Sequence, residues 1–161
     1  MTAPEQILFV CLGNIVRSPL AESLFQQLAE ERGLAGRYVV DSAGTSSYHV
    51  GESPDQRMRR TAADKGYIYD GRSRQLRRSD LDRFDLIIAM DRQNDSDIRA
   101  LAARPDQAGK VRLMREFDPE ADGDLDVPDP YYGGQEGFEK TFAIVHRSVA
   151  TLLDRLEQDQ V

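Results

Sequence analysis

The chain has a single cysteine, Cys11, in 161 residues. That count excludes an intramolecular disulfide and a cysteine-rich zinc site. There are two histidines, His49 and His146. A catalytic Cys–His pair wants a third group to orient the imidazole, and none is evident for His49. No apolar run is long enough to cross a bilayer, and Met1–Gln6 is short and polar, unlike a secretory leader. A cytoplasmic protein with no membrane partner is the expectation. Positive charge is in deficit: 21 Lys and Arg stand against 28 Asp and Glu, for a net charge of −7. That balance argues against nucleic acid as a partner. It does not forbid an anionic substrate, because a phosphate site is built locally. Internal repeats and low-complexity tracts are also missing.

What is present suits one soluble domain, residues 1–161, long enough to bury one core. Hydrophobic residues make up 40% and charged residues 30%, which is ordinary. Strand and helix signals alternate. Strands are expected at Ile7–Leu12, Tyr38–Ala43, Asp85–Met90 and Val111–Arg115. Helices are expected at Ser18–Glu31, Pro54–Lys65, Arg92–Arg104 and Gly137–Glu157, with a short turn near Ser79–Arg83. Leu20, Leu24, Phe25 and Leu28 share one face of the first helix. Phe138, Phe142, Val145, Val149, Leu152 and Leu156 recur by threes and fours in the last. Continuous apolar runs such as Leu86-Ile87-Ile88-Ala89-Met90 read as strands buried on both faces, as in a parallel sheet. An open α/β sheet with helices on both faces follows.

The local signal for chemistry is Cys11-Leu12-Gly13-Asn14-Ile15-Val16-Arg17-Ser18, after the apolar run Ile7–Val10 and before Pro19. Ser18 suits an N-cap and Pro19 a first helical position. A loop closing onto a helix start points several N–H groups into one concavity, which suits a phosphate. A thiol at its base feels the helix dipole and Arg17, and both favour thiolate. A lone cysteine is more often a small buried hydrophobe, but the Arg-Ser-Pro sequel favours the nucleophile. Ligands of open α/β sheets sit beyond the carboxyl ends of strands, and Cys11 ends the first.

Cys-x5-Arg-Ser on a first strand–helix turn resembles the low-molecular-weight protein tyrosine phosphatases. The resemblance extends to Asp41-Ser42-Ala43-Gly44-Thr45, Tyr48-His49-Val50-Gly51, Met90-Asp91 and Asp129-Pro130-Tyr131-Tyr132-Gly133-Gly134, and so covers nearly the whole chain. It implies a phosphatase I-like fold: an open, twisted four-stranded parallel sheet in the order 2-1-3-4. It implies hydrolysis of phosphotyrosine and other aryl phosphates through a phosphocysteine, with no metal or cofactor. Tyrosine-phosphorylated proteins or small aryl phosphates are the implied substrates, inorganic phosphate the product and competitive inhibitor, and a monomer the implied state.

The parts fit that reaction. Cys11 is the candidate nucleophile. The N–H groups of Leu12, Gly13, Asn14, Ile15, Val16 and Ser18, with the planar fork of Arg17, would hold the phosphoryl oxygens. The Ser18 hydroxyl can donate to the thiolate. Resemblance assigns the acid and base to Asp129, whose flanking prolines restrict its backbone. It also implies that Asn14 and Ser42 shape the loop and that Tyr48, Tyr131 and Tyr132 wall the cleft. Asn14 tolerates the left-handed backbone that a tight loop needs. Ile15 is expected to add apolar bulk to the pocket wall, favouring a phenyl ring over a guanidinium. Two departures stand out. Gly71 occupies the place of a family histidine that joins the loop's hydrogen bonds, where a water could substitute. Val16 stands where many relatives carry a second cysteine.

Other readings are weaker. An arsenate reductase on this fold passes oxidising equivalents through further cysteines, and there are none. A protein arginine phosphatase would favour a small Thr where Ile15 stands. A phosphate-binding module without catalysis would need a disabled nucleophile or acid. The carboxylates from Asp118 to Asp129 have a calcium-loop spacing, but no helix precedes them and Pro119 and Pro128 interrupt them. The arginines from Arg57 to Arg83 read as solvated faces.

Overall fold

In the computed structural model, which describes residues 3–161, the N-terminal apolar run is strand β1, Glu5–Cys11. Its side chains alternate between two apolar layers. Ile7, Phe9 and Cys11 enter one core cluster and Leu8 and Val10 the other, so no position of the run is left to water. β1 pairs in parallel with β2, Tyr38–Gly44, and with β3, Leu86–Ala89; β3 pairs in parallel with β4, Val111–Leu113. The order is β2-β1-β3-β4, as the resemblance implies.

Three helices cover the first face: α1, Arg17–Glu31; α2, Gln56–Ala63; and α6, Gln135–Glu157. Leu20, Leu24, Phe25 and Leu28 of α1 meet Phe138, Phe142, Val145, Val149, Leu152 and Leu156 of α6 in that cluster. The second face carries α3, Asp80–Arg83, and α4, Arg92–Leu101, through Leu81 and Ile98. Among the described residues no helix is long and apolar enough to cross a membrane.

Several expected boundaries move. The helix expected over Arg92–Arg104 ends at Leu101. Arg104 is extended before Pro105, whose ring disfavours a helical predecessor, and a separate short α5, Pro105–Ala108, follows. β4 stops at Leu113 and a 3-10 turn covers Met114–Phe117, so Arg115 leaves the sheet. Its guanidinium donates to Asp118 at 3.0 Å. Ser18 is not the N-cap. The cap is Val16, and Ser18 is the second residue of α1, its hydroxyl turned toward Cys11 instead.

The chain runs from β1 out to β2, then returns across β1 to β3. The reversal opens a crevice beyond the carboxyl ends of β1 and β3. Val127 N–H donates to the Met90 carbonyl at 2.8 Å, which ties the acidic segment to the end of β3. Cys11, Asp91 and Asp129 thereby meet at the carboxyl ends of β1 and β3 from three distant parts of the chain.

Candidate active site

The loop between β1 and α1 is a tight concavity. Asn14 holds a left-handed backbone, φ +56°, as expected. Among the described residues the backbone N–H groups of Leu12, Gly13, Asn14, Ile15 and Val16 donate to no protein acceptor. Unpaired donors gathered at a helix start make an anion nest. Gly44 lets β2 press against this loop: a Cβ there would come 2.8 Å from the Leu12 carbonyl oxygen and 3.1 Å from the Asn14 nitrogen.

Side chains hold the nest from below. Asn14 Nδ2 donates to Ser18 Oγ at 2.8 Å and to Ser42 Oγ at 2.9 Å. Asn14 Oδ1 accepts from the Arg74 backbone N–H at 3.0 Å. Cys11 Sγ lies 3.0 Å from Ser18 Oγ. Gly71 contributes nothing to this network. It is exposed, with open space where a Cβ would stand. Neighbouring residues support the loop in its stead: Ser73 Oγ donates to the Gly13 carbonyl at 3.0 Å, beside the Arg74 bond. Arg74 is itself clamped by Asp41 and Asp80, at 3.1 and 2.9 Å. It is therefore not part of a solvated basic face.

Arg17 is 2% exposed. One terminal nitrogen donates to Asp91 Oδ2 at 2.6 Å and to the Val127 carbonyl at 2.9 Å; the other reaches Asp129 Oδ2 at 3.5 Å. Burial opposes its charge, but Cys11, Asp91 and Asp129 more than offset that and hold its pKa above the ordinary value. The guanidinium is thus a fixed cation beside the thiol. Asp129 stays at the rim, its side chain 39% exposed. Its other oxygen accepts from the Tyr131 N–H at 3.1 Å.

A cleft of about 520 Å³ opens above, a size suited to a small ligand. Cys11, Leu12, Gly13, Val16, Arg17, Tyr48, Asp129, Tyr131 and Tyr132 line it, together with Ser46 and His49. Asn14, Ser18 and Ser42 are buried beneath it as supports. Ile15 requires a correction. It is 7% exposed, packs into the core layer under α1 and does not line the cleft. The loop's curvature turns Ile15 inward and leaves Val16 at the wall, so Ile15 is no steric filter there.

Two site residues escaped the sequence reading. Asp91 follows the third strand, at the carboxyl end where ligands of such sheets bind, but its residue type alone assigns it no role. His49 reads from sequence only as a candidate base. In the structure its ring lies between Tyr48 and Tyr131, at centroid distances of 4.8 and 5.7 Å, and Nδ1 is 2.8 Å from Glu52. Arg57 stacks 5.3 Å from the Tyr131 ring centroid and 4.6 Å from that of Phe138, bracing the wall from behind.

The acidic run is exposed at Glu120, Asp122 and Asp124 and anchored at two points. The Asp118 side chain is fully buried between Arg115 and Arg147, at 3.0 and 2.7 Å. Asp126 accepts from the Arg92 N–H. Among the described residues no cluster of His, Cys, Asp and Glu could hold a metal ion.

Sheet order, anion nest, thiol and buried arginine together define a phosphate-loop protein of the phosphatase I-like class. The chain belongs to the low molecular weight phosphotyrosine protein phosphatase family, whose model matches residues 6–161. It is 46% identical to the low molecular weight protein-tyrosine-phosphatase of Streptomyces coelicolor, over 92% of this chain and 91% of that one. Among solved structures it is similar to a protein tyrosine phosphatase from Entamoeba histolytica, with a TM-score of 0.92, 38% identity and coverage of 98% and 99%. YfkJ from Bacillus subtilis superposes with a TM-score of 0.90 at 35% identity, covering 99% of each chain.

Proposed function

We propose that this protein hydrolyses phosphotyrosine and related aryl phosphates without a metal, using Cys11 as nucleophile, Arg17 as phosphate clamp and Asp129 as acid and base. The observation that carries the reading is the ring of unpaired N–H donors from Leu12 to Val16 around Cys11, closed by buried Arg17. In the first step Cys11 sulfur attacks phosphorus in line and the phosphorus–oxygen bond to the ring breaks. Asp129 gives its proton to the departing phenolate. The equatorial oxygens rest on the N–H groups and Arg17, which are already oriented when charge redistributes. In the second step water attacks phosphorus, Asp129 takes its proton, and the sulfur–phosphorus bond breaks. Ser18, 3.0 Å from the sulfur, is placed to donate to the leaving thiolate.

Tyr48, His49, Tyr131 and Tyr132 make an aromatic wall that suits a flat phenol by stacking. The catalytic unit is a monomeric single domain in the cytoplasm, acting on phosphotyrosyl proteins or small aryl phosphates and inhibited by its product, inorganic phosphate. The test is release of p-nitrophenol from its phosphate, and of phosphate from phosphotyrosine peptides, in excess chelator. Turnover is expected, with competition by phosphate and vanadate, and Cys11→Ser retaining less than about a thousandth of it. Loss of activity in chelator would overturn the metal-free mechanism. A preference for phosphoarginine over phosphotyrosine peptides would overturn the substrate class.

A further inference from the structure

Beneath the nucleophile the hydrogen bonds form one directed chain, which ends on a carboxylate outside the cleft. Glu22 lies one helical turn after Ser18 on α1 and is half-buried. Ser42 Oγ donates to Glu22 Oε1 at 2.6 Å. Each proton along the chain can be placed by elimination. The Asn14 carbonyl faces the Arg74 N–H, so its NH2 group faces the two serines. Ser42, having accepted from Asn14, gives its own proton to Glu22. Ser18, having accepted from Asn14, holds one proton for two acceptors: Cys11 sulfur at 3.0 Å and the Ala43 carbonyl at 3.4 Å. The sulfur is nearer.

We propose that Glu22 is a positioning residue, whose carboxylate directs this chain so that the Ser18 hydroxyl points at Cys11. It rests on the assignment of Cys11 as nucleophile. Without an acceptor at position 22, the Ser42 proton is free to turn back toward Asn14. The Asn14 amide can then flip to receive it, giving up the Arg74 N–H. The Ser18 proton is drawn to the flipped carbonyl, and the thiolate loses its donor. Burial raises the Glu22 pKa; the Ser42 bond and Arg74 oppose this, and Asp41 adds to it. A carboxylate so poorly hydrated depends on the donor that Ser42 brings.

Simple electrostatics predicts the opposite sign, which makes the idea testable. Deleting a carboxylate near a thiolate removes a like charge and should make the sulfur more reactive. The chain predicts a less reactive one. The assay is alkylation of Cys11 by iodoacetamide at pH 6 in the full-length protein, a readout independent of any phosphatase substrate. Glu22→Leu is expected to slow alkylation by about tenfold, the effect of losing one hydrogen bond to a charged group. Glu22→Gln keeps an acceptor and should stay within about threefold of the wild type. Ser18→Ala should slow alkylation as much as Glu22→Leu does, and the double variant should be no slower than Ser18→Ala alone. Ser42→Ala removes the proton that would turn back, so adding Glu22→Leu to Ser42→Ala should slow alkylation no further; Glu22→Met, which also lacks an oxygen acceptor, serves if Glu22→Leu does not fold. Alkylation at or above the wild-type rate in folded Glu22→Leu, a full additive loss in the double variant with Ser18→Ala, or a further loss when Glu22→Leu is added to Ser42→Ala would each overturn the proposal. Absence of p-nitrophenyl phosphate turnover in the wild type would instead count against the phosphatase reading.

Discussion

Asp91→Asn should uncouple the phosphate clamp from its support while leaving the fold nearly intact. Arg17 and Asp91 form a 2.6 Å ion pair with side chains 3% and 22% exposed. Removing one partner of a fully buried pair costs about 3–5 kcal/mol. Asp91 is partly hydrated, and Val127 and Asp129 remain beside Arg17, so the expected loss is nearer ~2 kcal/mol. Asp91 also caps α4, its other oxygen accepting from the Asn94 N–H at 2.8 Å. Asparagine keeps that cap and alanine does not, so Asp91→Ala should lose about 1 kcal/mol more. The kinetic effect has a direction of its own. Asp129 already sits 3.5 Å from the second nitrogen of Arg17. Freed from Asp91, the guanidinium is expected to swing onto Asp129, displacing the clamp and occupying the acid together. A displacement of about 1 Å costs on the order of 10²-fold in kcat. The loss should be greater for basic leaving groups, which depend on the acid. Urea unfolding gives the stability change, and kcat over a series of substituted phenyl phosphates gives its dependence on the leaving group. Asp91→Asn with wild-type stability and wild-type kcat would refute the reasoning, since Val127 and Asp129 would then suffice to hold Arg17 in place.

Asp129→Asn should slow phosphotyrosine by about 10²–10⁴ and good leaving groups far less; equal slowing across the phenyl series would move the acid elsewhere, with Glu120 and Asp126 tested next. Peroxide should inactivate the enzyme, and delayed dithiothreitol should recover little, because buried Val16 offers no thiol to trap a sulfenic acid on Cys11. Val16→Cys should restore recovery. Full recovery of the wild type, with neither over-oxidation nor an adduct by mass spectrometry, would point to another protective route such as a sulfenamide. Asp118 should contribute to acid sensitivity. Burial pushes its pKa up, but Arg147, the Glu120 N–H and Arg115 hold it below the ordinary carboxylate value. Its stabilisation is therefore complete above about pH 4 and fades as pH falls through the lower folded value. Urea midpoints of Asp118→Asn should be lower than the wild type at pH 7 and converge on it toward pH 2; parallel curves would exclude this role.

The sequence exposes interactions that are local or periodic and hides those set by a distant partner. The Cys11–Ser18 loop, the apolar strands and the spacing in α1 and α6 depend on residues a few positions apart, and the sheet order follows from the resemblance they support. Ser18 departs from its expected N-cap place because the N-cap preference of serine is a local rule, overridden here by the donors and acceptors that Cys11, Asn14 and Ala43 place around its hydroxyl. Ile15 departs from expectation for a related reason. Its position in the loop motif is readable, but whether a loop side chain faces ligand or core depends on curvature, and Asn14 at φ +56° sets that curvature. Arg74 looked like one more arginine in a basic stretch; its partners Asp41 and Asp80 lie on a strand 33 residues before it and a helix 6 residues after it. Asp91 and Glu22 belong to a different class. Carboxylates are common in this chain, and nothing in the residue type separates an acid under the buried Arg17 from one on a wet helix. What separates them is partial burial together with one side-chain donor, Arg17 for one and Ser42 for the other. Both donors come from segments that the β2-β1-β3 crossover brings together. In a parallel sheet the side chains that touch the reacting atoms cluster at one strand end, where motifs reveal them. The groups that orient those side chains come from neighbouring strands and helices, and they become visible only once the strand order is known.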